Sequence, residues 1–536
     1  MKRTNATPAS VPRVKLLPAC LALALVVGSN VLSPASADAA TRPVAPAVSI
    51  GDSFGAVNRV ALSQYQRQAL VSFMQGKARQ LPAIPATSIA VTNCNDSGPG
   101  SFRQAVSDAV SGDTIDLTNT GCSVITLTTG DILTGVNDLT LQGPGALALS
   151  ISGGDHYRPL EHIGTGTLTI NDLSIEHGKK YLNNGDLGAA GGGCIHSAGT
   201  VSLSNSWVKY CDAGSSSTTA AVKGGAVYGA TGVGVANSIV SGSNAHSSAS
   251  GAYGGGVYTP GFLTVAYSLI DHNTVNSPTR PTGGGAQVGN FFGTHGGAAF
   301  FKYSTISNNS SGGGGGLYLT GDIFMTNSTV SANAGGNTGG ILMFNLGNAT
   351  GPWKLNNSTV SGNTAIAGSG GVYVRGNNGE FENSTIAFNT THGSTKYGGG
   401  VTIRSANNVD LQSVLISNNT TDKGDGNGPQ IDDIGGISGA TLTGANNLVY
   451  YPSSVVTPGG TILLTNPLLA PLASNGGPTA THGLYPTSPA LDVGNNVLGA
   501  ATDQRGSGYP RVLGAGPDIG AFEGTVSDVI FANGFD

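Results

Sequence analysis

Apolar residues in the middle of this chain come in very short alternating runs, and glycine or asparagine separates one run from the next. In Val372-Tyr373-Val374-Arg375 every second side chain is apolar, the period of a strand with one face in a core. The stretches between runs are too short for crossover helices, and the Gly and Asn breaks demand turns. A Gly block followed by an apolar alternation recurs at Gly191–Cys194, Gly224–Val227, Gly254–Val257, Gly283–Ala286, Gly314–Leu317, Gly339–Ile341, Gly370–Val372 and Gly398–Val401. A second motif lies between the blocks. It reads Asn327-Ser328-Thr329-Val330-Ser331-Ala332-Asn333 and returns at Asn357–Asn363 and Asn383–Asn389, with looser copies at Tyr267–Asn273, Tyr303–Asn309 and Val414–Asn419.

Short strands wound into a solenoid satisfy both the period and the breaks. The expected fold is all-β: a single-stranded right-handed parallel β-helix, each coil paired with the next and the apolar faces stacked into one core. The asparagine closing each motif (Asn273, Asn309, Asn333, Asn363, Asn389, Asn419) is expected to form a ladder, sitting in the left-handed region at a tight bend. Gly blocks mark positive φ or close approach of coils. Ser101–Val110 has helical spacing, with Phe102, Ala105, Val106 and Ala109 on one face. It is read as an N-terminal helical cap over an otherwise exposed sheet edge.

The N-terminus carries an export address. Lys2, Arg3, Arg13 and Lys15 precede an apolar run from Leu16 to Val27, and Ala35-Ser36-Ala37 is a small-x-small cleavage site. Cys20 sits before most of the apolar run, which argues against a lipoprotein. The expected organisation is a signal peptide over 1–37, a leader with a helix near Val60–Ala78 over 38–90, the β-helix over 91–465, a C-terminal segment over 466–523 and a tail over 524–536. No later segment is apolar enough to cross a membrane as a helix. The destination is the outside of a bacterial cell, secreted or at the cell surface or outer membrane.

Glycine makes up 85 of 536 residues and charged residues only 10%, with a net charge of −5. Gly-rich chains can be disordered, but 39% hydrophobic content spread evenly argues for a packed core. No Lys/Arg cluster follows the signal peptide, so nucleic acid is excluded as a partner. Cys94, Cys122, Cys194 and Cys211, an even number in an exported chain, are read as two disulfides. Nearest-neighbour pairing is one connectivity; buried free thiols are the alternative.

Several motifs carry a resemblance. Val91-Thr92-Asn93-Cys94-Asn95-Asp96-Ser97-Gly98-Pro99-Gly100-Ser101-Phe102-Arg103-Gln104-Ala105 resembles the opening of bacterial surface β-helix proteins, and the Gly-Gly-x-apolar and Ser-x-Val-Ser-x-Asn repeats resemble those of polymorphic outer-membrane and pectin-lyase-like proteins. Asn466–Leu469, Ser474–Thr479, His482, Ser488–Asp492, Asp503-Gln504-Arg505-Gly506 and Asp518–Glu523 resemble the choice-of-anchor Q β-helix family. That resemblance covers roughly residues 90 to 523 and implies fold and surface location, not a reaction. Asp503, Arg505, Asp518 and Glu523 are read as locking the last coil through charge-assisted bonds.

Chemistry on a solenoid needs outward residues from neighbouring coils. Aligning the Ser-Thr-Val motifs places Lys354, Glu380 and Asp410 at equivalent outward positions, beside inward Leu355, Phe381 and Leu411. Arg375 and Arg404 are equivalent on the preceding strand. Together these five are read as one charged patch and as the candidate catalytic set. A carboxylate base beside cations suits β-elimination on an acidic sugar, and a carboxylate pair suits glycoside hydrolysis. Ordinary surface ion pairs are the plain alternative. Asp422, Asp425 and Asn427 lie in an acidic Gly-rich loop with oxygen donors for calcium, the one cofactor considered, although the loop lacks the EF-hand pattern. Two functions are expected to compete. One is an adhesin or matrix protein binding an extracellular polysaccharide or cell-surface component. The other is a polysaccharide lyase or glycoside hydrolase.

Overall fold

A computed structural model of the chain describes residues 88–186, 190–289, 297–344, 353–376, 378–392, 397–404, 408–436, 441–452, 457–458 and 462–524. The expected signal peptide, the helix near 60–78 and all but the first residue of the tail lie outside the described residues.

One coil shows the plan. Val372–Arg375, Gly379–Glu382, Thr385–Ala387 and Thr390–His392 follow one another, each in a different sheet. Among the described residues the four sheets have, in that order, eleven, fourteen, thirteen and ten strands, hereafter the first to fourth sheets. Each strand pairs in parallel with its counterpart one coil on, as in Val372–Arg375 against Val401–Arg404. One pair at the end of the fourth sheet is antiparallel. The result is a parallel β-solenoid of about eleven turns. Alternation puts Val372, Val374, Phe381 and Ile386 inside, all fully buried, and their equivalents join one core running from Val91 to Val449. Phe102–Asp108 is helical; Ser101 Oγ accepts the Gln104 N–H at 3.2 Å, and Phe102, Ala105 and Val106 are buried. This helix follows the strand Ser88–Ala90, which pairs with Thr114–Asp116 in the second sheet.

The corners explain the repeat motif. At the bend from third to fourth sheet the left-handed residue is His272, Asn308, Ala332, Gly362, Phe388 or Asn418. The ladder asparagine is the next residue, so the expectation that it would itself adopt positive φ is corrected. The bend turns that next side chain inward, where a polar group survives only if every hydrogen bond is made. It is made: each asparagine Nδ2 donates to the Oδ1 of the next, from Asn273 through Asn309, Asn333, Asn363 and Asn389 to Asn419, at 2.8–3.0 Å. Each also donates to a backbone carbonyl of the preceding coil. The ladder ends on Asp433, whose Oδ1 accepts Asn419 Nδ2 at 2.8 Å and whose Oδ2 accepts the Tyr451 N–H. At the second-to-third corner a serine series (Ser206, Ser238, Ser268, Ser304, Ser328, Ser358, Ser384) plays the same part, each Oγ after the first accepting the backbone N–H of the previous coil's serine.

Asp433 is wholly buried, and loss of water pushes its carboxyl up to about 7 against three N–H donors. The folded state therefore holds this proton more tightly than the unfolded one. Its stabilising contribution is complete below the ordinary value of 3.8 and is lost as pH rises through about 7. Buried His482, brought down to about 4, acts in the opposite sense, and its contribution is lost as pH falls below 6.5. Comparison with Asp433→Asn isolates the first effect. In thermal denaturation the wild-type advantage over the variant is expected to be largest in acid and to shrink as pH rises from about 4 to about 8. A pH-independent difference would show that Asp433 titrates alike in both states.

Residues 469–524 add no further coil. Leu469–Ala473 and Thr481–Leu484 form an antiparallel hairpin, and the segment then runs back along the third sheet. Asn327 Nδ2 donates to the carbonyls of Asp503 and Gln504, Thr359 Oγ1 donates to Gln504 Oε1, and the Ala521 N–H reaches Thr385 Oγ1. Arg505 and Asp503 are paired at 2.6 Å and buried, and Glu523 accepts the N–H groups of Leu513 and Asp518. These charges thus hold the returning segment together internally, while the uncharged Asn327, Thr359, Gln504 and Thr385 tie it to several coils.

Candidate functional site

Lys354 stands in register with Glu380, and Glu380 with Asp410, on the outer face of the second sheet. Their neighbours Leu355, Phe381 and Leu411 are buried. Lys354 Nζ lies 2.7 Å from Glu380 Oε2, with both side chains more than a third exposed. Such a pair is worth at most about 1 kcal/mol. Asp410 accepts Thr443 Oγ1 at 2.7 Å and Gln412 Nε2 at 3.1 Å.

Arg375 and Arg404 are also in register, but on the first sheet, across the bend at Gly376 (φ 98°). The expected single patch is therefore two features, because the sheets on either side of that bend face different ways. Arg375 lies over the Phe344 ring at 4.9 Å, and Arg404 Nη1 donates to Tyr373 Oη at 3.1 Å. Both line a cleft of about 260 Å³.

The cleft follows from the outward rungs of the first sheet. Tyr318, Leu342 and Tyr373 form one rung, and Phe344, Arg375 and Arg404 form the rung two residues on. Tyr397, Asn337 and Thr338 complete the walls, Thr338 being tied by bridges to Gly314 and Ser369. No acidic side chain lines the cleft among the described residues. Burial pushes the Tyr318 and Tyr373 phenols up, while the bond to Tyr373 raises Arg404 further. At neutral pH Tyr318 and Tyr373 thus stay neutral and Arg404 stays charged.

No protein-family model matches the chain, and no curated protein matches it. Among solved structures, the complex of the alginate lyase AlyF-OU02 with G6 aligns over 77% of this chain and 92% of its own, at 10% identity and a TM-score of 0.30. A likeness that distant carries nothing about the function of this chain.

Two other predicted groups are placed by the structure. Cys94 is joined to Cys122 and Cys194 to Cys211, with Cα–Cα distances of 6.2 and 5.4 Å. In the acidic loop, Asp422 Oδ1 accepts the Gly424 N–H and Asp425 Oδ1 the Asn427 N–H, both at 3.0 Å. Among the described residues no group of three or more His, Cys, Asp or Glu side chains gathers as a metal centre. The rung aromatics leave a signal in the sequence. The residue after the first apolar position of the block is an aromatic in Val227-Tyr228, Val257-Tyr258, Leu317-Tyr318 and Val372-Tyr373.

Proposed function

We propose that this is an exported β-helix protein of the cell surface or extracellular space that binds acidic glycan in the first-sheet cleft. The observation that supports it most is that Arg375 and Arg404, in register one coil apart, share with Tyr318, Phe344, Tyr373 and Tyr397 a cleft without a carboxylate among the described residues. Aromatic faces cover the apolar faces of sugar rings, and a guanidinium fork matches a carboxylate or sulfate. In a chain of net charge −5 this cationic cleft is a local feature, not a general basic character. The signal-peptide pattern and the choice-of-anchor Q motifs support the surface location.

The cleft favours holding a glycan over cleaving it. Elimination and hydrolysis both need a base. The buried Tyr373 phenol keeps its proton, and the Glu380–Asp410 carboxylates stand on the next sheet. No helix among the described residues is long and apolar enough to cross a membrane.

A panel of acidic and neutral polysaccharides tests the reading. Acidic chains are expected to bind, more weakly at high salt, and Arg375→Ala with Arg404→Ala to lower affinity by about tenfold or more per arginine, the scale of a charged hydrogen bond. Glu380→Ala should bind as wild type, and absorbance from unsaturated uronates should stay flat. Neutral glycan bound equally well by the double variant would remove the cleft from the function. Product formation lost in Glu380→Ala would make the protein an enzyme with its site on the second sheet.

A further inference from the structure

The seam between the second-to-third corner and the returning C-terminal segment holds an unusual set of oxygens. From Asn327 onward the left-handed residues of this corner are Asn327, Asn357, Asn383, Ser413 and Asn446. Four of them bond the segment. Asn327 donates to the Asp503 and Gln504 carbonyls, Asn357 to Thr502 O at 3.2 Å and Asn446 to Val493 O at 2.9 Å, while Ser413 Oγ accepts the Asn495 N–H at 2.8 Å. Asn383 is the exception. It is 1% exposed, and neither its Oδ1 nor its Nδ2 has a hydrogen-bond partner. Opposite it, between Asn495 and Thr502, the segment closes a turn on itself through Asn496 and Ala500 instead of bonding the corner.

The same stretch contains further buried oxygens without a hydrogen-bond partner: Asn356 Oδ1, Asn357 Oδ1, Glu382 Oε2 and Asn495 Oδ1. Topology gathers them. Asn356 and Glu382 are in register one coil apart, Asn357 and Asn383 are the next residues in their coils, and Asn495 reaches Gln412 and Ser413 one coil further on. A buried oxygen left unpaired costs about 1–3 kcal/mol, so several of them at one seam point to a partner bound there. The donor set is one carboxylate and several amide oxygens, with no sulfur and no imidazole, which is the chemistry of a hard cation.

We propose that a calcium ion binds in this seam, held by Glu382, Asn356, Asn357, Asn383 and Asn495, and ties the C-terminal segment to the solenoid. With a single carboxylate the site is a weak one, suited to the high calcium outside cells. It is separate from the acidic loop at Asp422–Asn427 and from the glycan cleft.

The exported protein, stripped with a chelator and dialysed, is titrated with calcium chloride by calorimetry and melted with and without the ion. One site per chain is expected, with a rise in Tm of a few degrees at saturation. Glu382→Gln should abolish both, Asn383→Ala should weaken binding by about tenfold or more, and Asp425→Ala should keep both. Should Glu382→Gln fail to fold, Asn383→Ala and calcium protection of the 496–501 turn from proteolysis in the wild type carry the test. No heat and no shift in the wild type would overturn the proposal and leave the seam to water. A response kept by Asn383→Ala and lost in Asp425→Ala would overturn it in favour of the loop.

Discussion

Asn363→Ala is expected to destabilise the protein by about 3–5 kcal/mol, although it removes no apolar surface. Asn363 Oδ1 accepts both the backbone N–H and the Nδ2 of Asn333, at 3.0 and 2.9 Å. Its Nδ2 donates to Val330 O at 3.0 Å and to Asn389 Oδ1 at 2.8 Å. Truncation orphans groups on both neighbouring coils, in a place where Asn333, Asn363 and Asn389 are all at most 1% exposed. Each orphan keeps its desolvation penalty without its bond, and that asymmetry sets the magnitude. Denaturant unfolding of the variant beside Asn184→Ala, an exposed asparagine, measures it. A loss no larger than that of Asn184→Ala would mean that water enters the ladder freely and that it contributes little.

Gly371→Ala should cost about 4 kcal/mol or more, for a different reason. A Cβ on Gly371 would stand 2.5 Å from Gly400 O and 3.0 Å from Asn389 Nδ2. Neither is the loose end of a flexible side chain: one is backbone of the next coil and the other a rung of the ladder. To make room, two coils must part where the Gly371 N–H donates to Gly399 O and the Val372 N–H to Gly400 O, at 3.0 and 2.8 Å. Gly424→Ala is the fitting comparison. Gly424 has φ +67° in an exposed loop with nothing within 4 Å of its Cβ, so its substitution costs only the left-handed strain of about 1–2 kcal/mol. Equal midpoints for the two variants in denaturant unfolding would show that the coils yield easily and that glycine serves the backbone there rather than the packing.

These two positions also show how much could be read in advance. The Asn ladder was legible because an identical residue at a fixed place in successive repeats must meet its own copy one coil on. Its left-handed partner was assigned one residue too late, since Ala332 and Phe388 give no compositional hint of positive φ. The glycines of Gly370-Gly371 were legible as sites of close approach, but not what approaches. What approaches is the Gly400 carbonyl of the next coil and the ladder amide of Asn389, which sequence places about eighteen residues further along at another corner.

For the candidate site the outcome divides at one bend. Register along each rung was readable, and Lys354, Glu380 and Asp410 stack, as do Arg375 and Arg404. That Arg375 and Glu380 are five residues apart in sequence said nothing about the turn of the sheet at Gly376 between them.

Repetition let the sequence by itself determine the coil: which residues face inward, which rungs align, and that the coils pair in parallel. Those properties are local and recur every turn, so each repeat reports them again. What only the tertiary structure decided is non-repeating. It folded the C-terminal segment back along the third sheet, so that Gln504 meets Thr359, instead of adding coils. It also closed an aromatic wall beside Arg375 and Arg404 and left buried oxygens at the seam around Asn383. Each of these depends on contacts between segments that share no period, and a period is the only long-range information that a single repetitive sequence carries.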